Sequence, residues 1–174
     1  MIARKQHHSS SRRFIAVALG ACLAVPLVGL VSIASAQDQS AATPGDAIVA
    51  RKTMMDTLSD HMDQIEAMIS ADKINLKNAN EHADTISVML MGFPHLFPPS
   101  TNQWKAGVDP DPVTGTFASP DVWAKFADFY KRATDASKTA YDMSRAEKAD
   151  DLKAKTAQLR TACNGCHAQY MKMQ

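Results

Sequence analysis

The feature that most constrains this chain is Cys163-Asn164-Gly165-Cys166-His167, close to the C-terminal end of the 174-residue sequence. Two thiols at this spacing, followed at once by a histidine, form a covalent attachment site for a c-type haem. Each thiol can add across one vinyl group, and His167 can ligate the iron from one face. On a helix, positions 163, 166 and 167 share one side, so a single turn presents all three groups to a flat cofactor. Two other uses of the thiols fit less well. A zinc site normally needs four ligands, and the only other cysteine, Cys22, lies in the N-terminal segment. A redox-active dithiol belongs near a helix start within a βαβ pattern, and no alternating strand pattern surrounds this one.

Residues 1–36 read as an export signal peptide, leaving 37–174 as one domain. Arg4, Lys5, Arg12 and Arg13 form a basic leader, an apolar run extends from Phe14 to Ala34, and Ala34-Ser35-Ala36 supplies a small-residue cleavage site. At 21 residues the run is also long enough to cross a bilayer. A membrane association therefore follows only if the segment stays uncleaved. The leader carries four of the 19 basic residues and none of the 18 acids, so the remaining domain has 15 basic residues against 18 acidic, a net −3. Nucleic-acid binding wants a basic face and is not expected. Without the leader, only Cys163 and Cys166 remain. No separate pair is available for a disulfide, which fits thiols reserved for a cofactor.

The rest of the domain reads as helices. Thr43-Pro44-Gly45-Asp46 is a helix start, with Thr43 as N-cap and Pro44 at the first helical position. The first helix is expected from about 44 to 70, with Ile48, Arg51, Met55, Leu58, Met62, Ile65 and Ile69 on one seam. The second runs from about 76 to 91 behind Asn75, with Leu76, Ala79, Ala83, Ile86 and Leu90 on its seam. Pro98-Pro99 stops it, and Pro98 to Ala118 reads as a long crossover loop. Ser119-Pro120-Asp121 opens a third helix whose seam is Val122, Phe126, Phe129, Ala133, Ala136, Ala140 and Met143. Ser144-Arg145-Ala146-Glu147 matches a capping box opening the fourth. Its seam holds Leu152, Leu159, Cys163, Cys166 and Tyr170. The expected fold is all-α: an antiparallel four-helix bundle with a haem in the core near one end.

Two residues of the first seam bear on the chemistry. Arg51 is a charge on an inward stripe, costly unless paired. It either snorkels out at the bundle end or meets a haem propionate, whose charge suits a guanidinium fork. Met55 lies one turn further on the same face. A methionine is often a core filler. Opposite His167, Met55 could equally be a sixth ligand to iron, an arrangement that raises the reduction potential. Met54 falls off the seam. His61 and His82 fall on polar faces and His95 in the turn after the second helix, so each reads as a surface or loop histidine.

Taken together, Cys163-Asn164-Gly165-Cys166-His167 followed by Tyr170, Arg51 with Met55, His95-Leu96-Phe97-Pro98-Pro99, and Pro120-Asp121-Val122-Trp123 are similar to the class II c-type cytochromes, the cytochrome c prime superfamily. The resemblance implies one covalent haem c, attached through Cys163 and Cys166, with iron held axially by His167. It also implies two branches. Low-spin members use a methionine at the position of Met55 as sixth ligand; high-spin members leave that face open and bind small gases. Family members often carry a basic residue four positions after the ligating histidine, and Met171 stands there instead. On that departure the expectation is the low-spin branch, a periplasmic electron-transfer protein; with no catalytic triad or acid–base pair visible in the sequence, it is not expected to be an enzyme. The alternative is a high-spin form that binds nitric oxide or carbon monoxide. Redox proteins are the expected partners, and a homodimer is compatible with the reading.

Overall fold

The computed structural model describes residues 43–111 and 114–172. The expected export segment lies outside the described residues. Helix α1 spans Pro44–Ser70 and α2 Leu76–Gly92. Short 3-10 turns follow at Phe93–Leu96 and Pro99–Thr101. Then come a one-turn helix α3, Asp121–Ala124, and the long helices α4, Phe126–Met143, and α5, Ala149–Tyr170. Four long helices form the bundle, as expected.

Local chemistry explains the first two helices. The Thr43 hydroxyl accepts from the Asp46 amide at 3.2 Å, while the Asp46 carboxylate accepts from the Thr43 amide at 2.7 Å. This reciprocal pair satisfies donors that a helix start would otherwise leave open. At the other end, the Lys73 amide reaches the Met68 carbonyl and the Asp72 amide the Ile69 carbonyl, with Asp72 at φ 51°. That left-handed closing turn usually takes glycine. Asn75 caps α2 by accepting from the Asn78 amide at 3.1 Å.

Two expectations are corrected. Ser144 does not open the last helix; it ends α4, where its hydroxyl donates back to the Tyr141 carbonyl at 2.8 Å. Ala146 turns into the core, and α5 begins only at Ala149, with no side-chain cap. The same short pattern serves a helix end as well as a start. The third helix is also interrupted, at Lys125 (φ −123°, ψ 38°). The break shifts the helical phase, so Val122 and Phe129 are buried while Phe126 is exposed.

The packing is uneven. α2 packs along both α1 and α4, and α4 along α5. α1 and α5 approach each other at few points. One core cluster is aliphatic and alanine-rich, joining Leu58, Met62, Ile65, Ile86, Met143, Leu152 and Leu159. A second is aromatic, with Phe93, Phe97, Val122, Phe129 and Tyr170. The segment before α3 fastens the end of α5. The Ser119 amide donates to the Tyr170 carbonyl and the Lys172 amide to the Phe117 carbonyl, each at 2.8 Å.

Candidate haem site

Because α1 and α5 stand apart, a cleft opens between them, and all five residues singled out from the sequence line it. Its wide mouth, a cavity of about 390 Å³, is bordered by Arg51, Met55, Phe97, Cys166, His167 and Tyr170. A narrower inner part is bordered by Met55, Leu58, Ile86, Leu90, Phe129, Cys163, Cys166 and His167. Met55, Phe93, Phe129, Cys166 and His167 line both parts.

Cys163 and Cys166 are half-buried and unpaired with each other. Burial raises both thiol pKa values, so they are held as thiols. His167 remains open to solvent at the rim. The desolvation it does suffer, and then the Arg160 guanidinium, lower its imidazole pKa. A neutral ring is the form that ligates a metal.

Arg51 is 3% exposed, so it does not snorkel out. Its Nη1 donates to the Thr101 hydroxyl at 2.9 Å and to the Leu96 carbonyl at 3.4 Å, and Nη2 donates to the Thr101 carbonyl at 3.4 Å. The guanidinium lies over the Phe97 ring at 4.5 Å and near Trp123 at 5.9 Å. Every one of these partners is neutral, and no described carboxylate comes within ion-pair distance. Burial alone lowers its pKa to about 10, which leaves it charged at neutral pH. A buried cation held by neutral groups at the mouth of a cleft suits an acidic substituent of a cofactor.

Met55 is half-buried and packs against both core clusters. Met54 packs against the same clusters but does not line the cleft. His95 is exposed and lies edge-on to Tyr130. Met171 lines the mouth beside His167 and pairs with Ala118 through a backbone bridge.

Three contributors were not anticipated from sequence. Arg160 lines the inner cleft and forks onto Glu66 of α1, with Nε to Oε1 at 2.8 Å and Nη2 to Oε2 at 2.7 Å. It ties α5 to α1 across the cleft. Its spacing, three before Cys163 and seven before His167, was a readable signal. Arg132 also lines the cleft and binds Asp128 at 2.7 Å, the carboxylate that accepts from the Tyr170 hydroxyl. Thr101 is fully buried in the crossover loop, and nothing in the sequence around it marks that role.

The donor set fits a c-type haem. Two unpaired thiols and an imidazole lie on one turn of a cleft-lining helix, apolar walls face them, and a buried cation stands at the mouth. Comparisons with known proteins agree. Solved cytochromes c prime share the fold. The one from Thermochromatium tepidum is 21% identical, with a TM-score of 0.67, 76% of this chain and 98% of that chain covered. The one from Rubrivivax gelatinosus is 26% identical, with a TM-score of 0.62 and coverages of 74% and 97%. A nitric oxide complex of a variant from Alcaligenes xylosoxidans is 19% identical, with a TM-score of 0.63 and coverages of 76% and 98%. A search of curated proteins gives no significant match. These comparisons give no support to the low-spin Met/His branch expected from Met55 and Met171. The family model described as Cytochrome C' matches residues 46–171, and the chain therefore belongs to the cytochrome c prime family, whose members bind one covalent haem c with iron.

Proposed function

We propose that this chain is an exported haem protein that binds a small neutral gas, nitric oxide or carbon monoxide, on the side of the cleft walled by α1. The observation that carries the reading is the make-up of that wall. Met55, Leu58 and Met62 of α1 line it, continued by Ile86 and Leu90 of α2, and Ser59 is the one polar residue that α1 adds there. Such a wall offers a charged or strongly hydrated ligand little to replace its water, whereas a neutral diatomic gas loses little on entering. The family match and the nitric oxide complex of the Alcaligenes xylosoxidans neighbour support the same reading.

Each residue has a distinct part. Cys163 and Cys166 would attach the group through thioether bonds, each thiol adding its sulfur and proton across one vinyl group. His167 would offer a neutral ring nitrogen from α5. Arg51 would pair with a propionate at the mouth, its fork oriented by Thr101. Met55 would crowd the α1 side and screen ligands by size. A bound haem c would supply a redox-active iron able to take a small ligand.

One observation favours the electron-transfer reading expected from the sequence: Met55 carries a thioether into the same cleft as His167. In that reading Met55 would hold the iron through its thioether rather than act as a wedge. Optical spectra of the oxidised and reduced protein, with and without carbon monoxide, separate the two. Gas binding predicts a high-spin spectrum and ready carbon monoxide uptake by the reduced form. A low-spin spectrum with a near-infrared sulfur-to-iron band, and resistance to carbon monoxide, would replace it with the electron carrier. The periplasmic location is tested by N-terminal sequencing of the exported protein, which should begin at Gln37.

A further inference from the structure

Outside the cleft, two histidines from different helices meet. His61 of α1 and His82 of α2 bring their Nδ1 atoms to 2.6 Å, with ring centroids 5.0 Å apart and planes tilted by 58°. Neither borders the cleft. The seam pattern placed both on polar faces as separate surface residues, and the structure instead makes them neighbours.

We propose that His61 and His82 form a two-histidine site for a divalent transition-metal ion of the zinc type. The two Nδ1 atoms face each other head-on, the arrangement of a shared proton, and turning both rings outward would let the same two nitrogens share one cation. Imidazole nitrogen is a preferred ligand for zinc, at about 2.0–2.1 Å. In a tetrahedral site two such nitrogens stand roughly 3.3 Å apart, given that bond length. The pair must therefore open by about 0.7 Å, a change that turning the tilted rings can supply. Both residues are half-buried, so solvent can fill the remaining positions.

The frame beneath the pair is rigid. Leu58, Met62 and Ile65 of α1 belong to one buried cluster with Ala79, Ala83 and Ile86 of α2. Helix positions set by a packed core lose little freedom when a ligand binds. Among the described residues, no group of three histidine, cysteine, aspartate or glutamate side chains converges on one point. The site thus has two protein ligands completed by water. It is an exchangeable surface site, not a buried structural one.

The test uses the exported holoprotein, freed of loose metal with a chelator and titrated with zinc chloride by calorimetry near neutral pH. The expected result is saturable binding of one zinc per chain, with the thermal midpoint rising as zinc is added. His61→Gln and His82→Gln should each weaken binding at least about tenfold, since each removes one of only two protein ligands. His95→Gln should leave it unchanged. Absence of saturable binding in the unmutated protein would overturn the proposal and leave a proton-sharing pair. Zinc affinity in His61→Gln or His82→Gln equal to that of the unmutated protein would overturn it too. Should one variant fail to fold, the other and the unmutated titration still decide.

Discussion

The two ends of the bundle are built on different terms. At the closed end, Ile65, Leu152 and Leu159 are fully buried with Ala79 and Ala83, and the interior is filled by side chains alone. At the cleft end, α1 and α5 part, the core becomes aromatic, and a guanidinium is buried among neutral partners. The closed end is complete as a polypeptide. The cleft end has a charge and a space that the polypeptide does not answer. A region whose packing closes without a partner is a scaffold, and one that leaves a buried charge uncompensated is shaped around something else.

The largest effect tests whether the cleft end is organised around a haem. Extraction of the unmutated protein with acid acetone should leave colour on the polypeptide. Cys163→Ala combined with Cys166→Ala should abolish covalent attachment entirely. Retained covalent haem in the double variant would break the comparison at its centre.

The next contrast is between Leu159 and Met55. Leu159→Ala removes a fully buried side chain from the closed end and should cost about 2–5 kcal/mol in denaturant unfolding. Met55→Ala, in a half-buried residue at the cleft, should cost less than half as much and mainly change ligand access. If Met55→Ala proves the costlier, the α1 wall of the cleft is core after all.

Arg51 separates the two states of the same end. With a propionate present, Arg51→Leu should cost on the order of 2 kcal/mol, the usual value for hydrogen bonds to a charged group. In haem-free protein the same change removes a buried unpaired charge and should be neutral or stabilising. Equal losses in both forms, measured by thermal unfolding, would show that Thr101 and the aromatic rings are partner enough.

The smallest effect concerns Tyr170, whose pKa is pushed up to about 12 by burial and by its hydrogen bond to Asp128. A group whose folded pKa lies above its ordinary value near 10 adds stability that is complete below pH 10 and lost as pH rises through 12. The difference in thermal midpoint between the unmutated protein and Tyr170→Phe should therefore shrink across that interval. A constant difference would mean that packing against Phe129, and not the hydroxyl, is what Tyr170 contributes.

Legibility followed the same division. Both ends of α1 were readable, because Thr43-Pro44 and the polar break after Ser70 act locally. The Ser144 pattern misled, since a hydroxyl near a helix boundary can bond backward or forward and only the burial of Ala146 decides which. Phe126 fell off its seam because one non-helical residue, Lys125, rotates everything after it. His61 and His82 could not be paired from a pattern that assigns faces without assigning neighbours.

The sequence by itself determined the spacing that puts Cys163, Cys166 and His167 on one helical turn, the inward stripes of the four helices except at Phe126, and the oddity of a charge at position 51. These are local properties: a spacing of three or four residues is set by the helix that carries it. Only the tertiary structure decided that α1 and α5 are the helices that part, that Met55 faces the same cleft as His167, and that Thr101, fifty residues from Arg51, holds its guanidinium. Periodicity says which side of a helix turns inward. Which partner that side meets, and how closely, depends on the packing of all the helices at once.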